Sequence, residues 1–250
     1  MRHIAIMIVG TNAYKVLAYR FITNFMHFYT GHSKISFALF SDEDPTPYVD
    51  YPVDWYKANH SHWRDGTNSK YQNILDVQNY LPEYTYYFDA DTYISRSFDA
   101  DWFIGDLVGG EHYANQTSMR NKKGYERNPR STCYVPLDTK LPQTYYYGAF
   151  WGGKTYRVIE MCLLLLENQK KDKEWGYEPG VNDESYLNQH FHYNPPTKVV
   201  PSQDFRFGIS DKAGLVDMRN TAKNVKELLG QIAAVRGKPF NIRQEKVVLL

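Results

Sequence analysis

Two acidic pairs carry the chemical content of this sequence. In Tyr84-Thr85-Tyr86-Tyr87-Phe88-Asp89-Ala90-Asp91 an aromatic run ends in two carboxylates one residue apart. Tyr and Phe favour extended backbone, and residues i and i+2 of a strand face the same way, so Asp89 and Asp91 can approach one hard cation together. Magnesium and manganese take oxygen ligands and are commonly shared between one or two carboxylates and substrate phosphates. The pair reads as a metal-based site for a nucleotide diphosphate. Its rival is a plain acidic turn, because Asp is frequent in turns for local reasons. The second pair is Asp183-Glu184, where a helix over residues 184–191 is expected to open. Capping and the helix dipole account for acidic residues there equally well.

The elements that must position these groups follow from the apolar pattern. Residues 4–9 read as a first strand, Gly10-Thr11-Asn12 as a turn, 14–29 as a helix and 35–40 as a second strand, closed by Ser41-Asp42-Glu43-Asp44-Pro45. One β-α-β unit so near the start argues for a parallel sheet. Residues 53–58 suggest an exposed strand. Asp65-Gly66-Thr67-Asn68 suggests a turn into a helix over 69–80, which leads to the acidic strand end. Ligands of open α/β sheets bind beyond the carboxyl ends of the strands, where Asp89 and Asp91 would lie. Further on, strands are expected at 107–113, 145–150 and 197–200, and helices at 155–171 and 220–235. The polar stretch 115–130 reads as a surface loop of a length that is often functional and the charged run 167–175 as a solvated helix end, and a tail with Arg236, Lys238, Arg243 and Lys246 closes the sequence.

Composition narrows the class. The 250 residues are 42% hydrophobic and contain no long Pro/Gly/Ser linker, which suits one domain over residues 1–250. With 29 basic and 28 acidic side chains there is no basic excess, so no nucleic-acid partner is expected. Aromatic content of 16% exceeds the needs of a core, and such rings often line a polar ligand groove. Cys133 and Cys162 have neither the number nor the spacing of a disulfide framework or zinc site and suit free thiols in a reducing, cytoplasmic compartment. No cleavable signal is expected in the first residues, and the apolar run 163–166 is too short to span a bilayer, so no integral membrane segment is expected.

Five segments in order resemble the retaining glycosyltransferases that include the blood-group A and B transferases, the α-1,3-galactosyltransferase and their shorter bacterial relatives. They are Tyr86-Tyr87-Phe88-Asp89-Ala90-Asp91, Tyr125-Glu126-Arg127, Tyr146-Tyr147-Gly148-Ala149-Phe150-Trp151-Gly152-Gly153, Asn182-Asp183-Glu184-Ser185-Tyr186-Leu187-Asn188 and Pro196-Thr197-Lys198-Val199. The resemblance covers roughly residues 4–226. It implies an α/β protein of the GT-A type, a mixed central sheet flanked by helices. A nucleotide-binding half would span about residues 1–105 and an acceptor-binding half about 106–250. It also implies transfer of a hexose from a UDP-sugar to a glycan hydroxyl with retention, forming an α-1,3 linkage. The chain's shortness resembles bacterial members that lack the anchor and stem of the animal enzymes.

Carried over residue by residue, Asp89 and Asp91 match the positions for metal and diphosphate. Some bacterial relatives have Asn at both and work without metal, so the acids here favour Mn2+, with Mg2+ as the alternative cofactor. Glu184 matches the catalytic carboxylate, and Asp183 matches a residue holding donor-sugar hydroxyls. Lys70 matches a basic residue near sugar and diphosphate, where Arg is usual. Val9, Gly10, Thr11 and Tyr14 match the uracil and ribose wall, and Lys223 and Lys226 a basic tail over the diphosphate. His112 and Trp151 match acceptor-side positions. Tyr147 and Ala149 match the pair that discriminates galactose from N-acetylgalactosamine, and the added bulk favours UDP-galactose over UDP-N-acetylgalactosamine, with UDP-glucose the open alternative because Val181-Asn182 changes the wall near the sugar hydroxyls. Two departures from the family are Val181-Asn182 in place of Trp-His and Tyr113-Ala114 after His112. A non-catalytic carbohydrate-binding or interaction protein and a glycoside hydrolase are the rival readings; neither needs a diphosphate site opposite a third carboxylate.

Overall fold

Strands buried on both faces read as near-continuous apolar runs, and the runs at 4–9 and 84–88 lie side by side at the centre of a sheet. The computed structural model describes residues 1–12, 14–60, 62–94, 96–112, 124–136 and 144–201, with the backbone alone of 63, 205–207 and 215–217. The chain opens with β1 (His3–Val9), α1 (Tyr14–Phe28) and β2 (Lys34–Ser41), and β1 and β2 pair in parallel as the opening pattern predicts. Then come β3 (Val53–Lys57), α2 (Trp63–Asp76), β4 (Tyr84–Asp89), β5 (Thr92–Ile94), β6 (Leu107–Glu111) and β7 (Tyr146–Lys154). They are followed by α3 (Thr155–Glu174), α4 (Asn182–Tyr193), β8 (Lys198–Val200), β9 (Phe205–Phe207) and β10 (Leu215–Asp217).

Seven strands form one sheet in the order β3-β2-β1-β4-β7-β6-β8. Strand β7 runs antiparallel to both neighbours and every other pair is parallel, so the sheet is mixed and the wholly parallel sheet suggested by the first unit does not extend across it. It is flanked by helices, as the GT-A resemblance implies. Alternation along β4 then sorts the layers. Tyr84, Tyr86 and Phe88 join Leu17, Phe21 and Phe25 of α1 in one core. Tyr87 joins Tyr71 and Ile74 of α2, Met161 and Leu165 of α3, and Leu187 and Phe191 of α4 in the other. Asp89 lies two residues beyond Tyr87 and so emerges on the side of α2 and α4. No described helix is long and apolar enough to cross a membrane.

Several elements differ from the pattern expected. Helix α2 begins at Trp63, so the segment 65–68 lies inside it: the His62 ring accepts from the Arg64 N–H, Asp65 accepts from the His62 N–H, and together they close a capping box. Strand β7 continues through Gly152 and Gly153 because β4 and β6 flank it there. The short strands β5, β9 and β10 form a second sheet that the pattern does not signal, in the order β5-β10-β9. Asn24 of α1 ties β5 down by donating to the Ile94 carbonyl and accepting its N–H. The expected helix 220–235, the tail beyond it, Lys223, Lys226 and the polar residues 115–123 lie outside the described residues.

Two surface expectations are corrected. Within 124–130, Tyr125 is buried, and the Arg127 guanidinium lies over its ring while donating to the carbonyls of Val135 and Pro136. Within the charged run 167–175, Asp172 is fully buried. It accepts from the Ser131 hydroxyl at 2.6 Å, the Thr132 N–H at 2.7 Å and the Tyr186 hydroxyl at 3.1 Å, tying the 131–132 turn to α3 and α4. Asp172→Ala would strand three donors, at about 1–3 kcal/mol for each unsatisfied buried group. Its urea unfolding midpoint should fall well below that of the parent, with Asp172→Asn between the two; an unchanged midpoint would remove Asp172 as a tie.

Candidate active site

The acidic strand end, the first turn and the start of α2 meet at one cleft. Val9, Thr11, Asn12 and Tyr14 form one wall, Gly66, Thr67 and Lys70 of α2 another, and Tyr87, Asp89, Ala90 and Asp91 the floor. Asn12 holds its left-handed backbone (φ 55°) by donating its N–H to Asp42 and its side-chain amide to the His60 carbonyl. Gly10 does not line the cleft. A Cβ there would lie 2.8 Å from that of Ala18, so this glycine lets α1 approach the strand end. The cleft volume of about 210 Å3 is below the roughly 300–1,000 Å3 of pockets that enclose a drug-sized ligand, so a nucleotide sugar would reach past Lys70.

Lys70 joins the two acidic pairs. Its ammonium lies 2.9 Å from Asp89 Oδ1 and 2.8 Å from Asp183 Oδ2, with the Tyr87 ring centroid 4.6 Å away. Burial would lower the Lys70 pKa, but the charges of Asp183 and Asp89 reverse this and raise it, so the side chain stays cationic. Asp89 Oδ1 also accepts from the Tyr87 hydroxyl at 2.9 Å. Asp183 is fixed at its carbonyl by the Tyr71 hydroxyl, 2.9 Å away. Burial pushes the Asp183 carboxyl up to about 6 against the opposing pull of Lys70.

Glu184 is set by β7. Gly109 on β6 lies opposite Trp151 while Glu111 lies opposite Tyr146, so two steps on β6 match five on β7 and residues 147–149 bulge out of register. Bulges re-aim backbone groups and side chains. Here the freed Gly148 N–H donates to Glu184 Oε2 at 2.6 Å, and the Tyr145 hydroxyl donates to Oε1 at 2.7 Å. A Cβ on Gly148 would stand 3.0 Å from Oε2, so glycine permits this approach. Burial raises the Glu184 pKa, and these two donors oppose the rise. Asn188 locks the same junction by accepting the Tyr146 N–H and donating to the carbonyls of Tyr146 and Glu184. Gly148 links Glu184 to the cleft lysine, its carbonyl accepting from Lys70 at 3.4 Å.

The remaining residues singled out in the sequence fall in two groups. Tyr147 is half-buried and meets the His112 ring edge-on at 4.7 Å, and Ala149 is buried in the same bulge. Trp151 does not belong with them. It is wholly buried, stacked on Tyr87 at 5.4 Å and tilted against Tyr71 at 5.6 Å, so it supports the site from the core and offers an acceptor no surface. Asn12, Gly66, Thr67, Tyr145 and Asn188 are the contributors that sequence reasoning missed. The Gly66-Thr67 signal was hidden by a histidine cap, outside the usual Ser/Thr/Asp/Asn set. Asn182, which departs from the family, takes φ 44° as α4 begins, a conformation Asn tolerates.

Three similarities bear on this arrangement. The chain is 27% identical over 188 residues to the histo-blood group ABO system transferase 2 of Rattus norvegicus, covering 70% of this chain and 54% of that protein. It is 31% identical over 168 residues to the O-antigen biosynthesis glycosyltransferase WbnI of Escherichia coli, covering 63% and 68%. It is 26% identical over 208 residues to the globoside alpha-1,3-N-acetylgalactosaminyltransferase 1 of Homo sapiens, covering 77% and 59%. The chain thus spans little more than half the length of the rat and human relatives. Residues 4–228 match Glycosyltransferase family 6, and with most of its length so matched the chain belongs to that family.

Proposed function

We propose that this protein transfers a hexose, preferentially galactose, from a UDP-sugar to a glycan hydroxyl with retention of configuration, forming an α-1,3 linkage. The observation that carries the reading is Lys70, which binds the cleft carboxylate Asp89 and the helix carboxylate Asp183 at once and so makes one site of the two acidic pairs. The nucleotide would occupy the cleft between Val9, Thr11, Tyr14 and α2, and the hexose would extend past Lys70 toward Asp183, Glu184 and the bulge at 147–149. His112, edge-on to Tyr147, would border the acceptor.

A diphosphate beside Asp89 and Asp91 meets like charge, which a divalent cation relieves. Both carboxylates line the cleft, and no group of three metal-ligating side chains occurs among the described residues. That donor set fits Mn2+ or Mg2+ shared with substrate phosphates and does not fit an all-protein cage. When bound, such an ion would offset charge developing on the leaving UDP. Lys70 would supply a second positive charge at the same place, Asp183 would accept from sugar hydroxyls, and Glu184 would present a fixed carboxylate to the positive charge that builds at the anomeric carbon.

Three outcomes follow. Release of UDP from UDP-galactose should stop on chelation and return with Mn2+ or Mg2+, and full turnover by the metal-free protein would refute the cation. Glu184→Gln should lower kcat by about 10²-fold or more while UDP affinity changes little, in the range of lost transition-state stabilisation. A near-normal kcat would move the role to another group. For the donor, Ala149→Gly should raise kcat/KM for UDP-N-acetylgalactosamine relative to UDP-galactose, because one methyl-sized difference is worth about 1–3 kcal/mol. An unchanged ratio would place the discrimination elsewhere.

A further inference from the structure

We propose that Tyr145 is a positioning residue for Glu184, its hydroxyl setting both the orientation of that carboxylate and the pH at which it is available. The inference rests on the role proposed for Glu184 and adds to it a residue that does not itself meet the substrate. A glutamate on the first turn of a helix ordinarily takes its position from that helix, with its carboxylate free to rotate. Here each carboxylate oxygen is held by the segment entering or within β7: Oε1 by the Tyr145 hydroxyl and Oε2 by the Gly148 N–H. Two anchors on opposite oxygens fix the plane of the carboxylate relative to Tyr147 and Ala149, the residues between and beside the anchors.

The phenol is itself held on several sides. Its ring meets Tyr125 edge-on at 5.6 Å and His112 at 5.8 Å, and the Tyr145 carbonyl accepts the His112 N–H at 2.9 Å. Gly124 packs so closely that a Cβ there would lie 2.8 Å from the ring. Tyr125 is pinned in turn by its hydroxyl bond to the Thr144 carbonyl. Phenylalanine would satisfy all of these packing contacts, but it lacks the hydroxyl that reaches Glu184. Burial holds the phenol protonated well above its ordinary range, so it remains a donor across the working pH. The charged groups facing Glu184 are Lys70 from α2, which favours its anion, and Asp89 from β4, which opposes it; Asp183 is its neighbour on α4. Loss of the Tyr145 donor would leave one buried carboxylate oxygen unsupported against that background.

The test is Tyr145→Phe, assayed for transfer and for UDP binding, with Glu184→Gln and the double variant alongside. A hydrogen bond to a charged group corresponds to a loss of about tenfold to a hundredfold. The single variant should lose that much in kcat with the UDP dissociation constant within about twofold, as for an interaction made in the transition state. The acid limb of its kcat profile should move to higher pH, and the double variant should be no slower than Glu184→Gln alone. A 3-fluorotyrosine at position 145, the same shape with a more acidic hydroxyl, should move the limb to lower pH and keeps the test open if Tyr145→Phe folds poorly. An unshifted limb in the variant that folds, or an additive double variant, would overturn the inference. If Glu184→Gln itself remains active, it is the role of Glu184 that fails and not the contact from Tyr145.

Discussion

Burying an ammonium group costs several kcal/mol even after relaxation, and only close opposite charge with good geometry offsets it. The Lys70 ammonium is held between Asp89 and Asp183, 4% exposed, so α2, β4 and α4 are all bound to a single point charge. Removing Lys70 would leave the two carboxylates inside the protein without their shared counter-charge. The requirement reaches into the core, because the Tyr87 ring under the ammonium stacks on Trp151 and the Tyr71 ring packs against the same indole. Tyr71 also holds the Asp183 backbone. The aromatic layer between α2 and the sheet is therefore the support on which the charged cluster stands.

The second constraint is the bulge in β7. A regular strand would have given the Gly148 N–H to the neighbouring ladder and turned Tyr147 and Ala149 to one fixed face. With five residues of β7 spanning two of β6, Tyr146 and Trp151 both reach the core under α2, α3 and α4, and Tyr147 and Phe150 both pack against the core under α1. Residues 147–149 between them have no partner in the register of either neighbouring strand. That freedom serves the N–H that holds Glu184 and the placing of Tyr147 against the His112 ring. Asn188 bonds both the N–H and the carbonyl of Tyr146 where the bulge begins.

Much of this was legible because the informative residues sit in short local patterns. The acidic strand end needed only the run of Tyr and Phe before Asp89, and the order of five segments sufficed for the family. What stayed hidden depends on contacts between distant segments. The bulge is a relation between two strands, so Tyr145, Gly148 and Asn188 had no signal in β7 alone. The α2 start escaped because its cap is a histidine ring. Asp172 sits among lysines and glutamates with nothing local to separate it from them, and its burial follows from the 131–132 turn folding back over α3. Strands of three residues such as β9 and β10 carry too little periodicity to be seen before their partner β5 is known.

The charged cluster also sets an opposition between stability and chemistry. Burial raises the Asp183 carboxyl to about 6, above its value of about 4 in an unfolded chain. A group raised on folding stabilises most when both states are protonated, below the unfolded value, and that contribution is lost as pH rises through the folded value. At neutral pH the fold therefore carries an ionised Asp183 that burial disfavours, with Lys70 as the compensating charge. The Lys70 pKa is raised as well, but its window lies far higher, so the ammonium and its ion pairs stay intact well above neutrality. Held this way, the carboxylates of Asp183 and Glu184 are fixed in place before any ligand arrives, which is the condition for electrostatic stabilisation without reorganisation during reaction. The fold tolerates the unfavourable charge because the aromatic layer and the Asn188 and Tyr71 clamps hold the elements together independently of it.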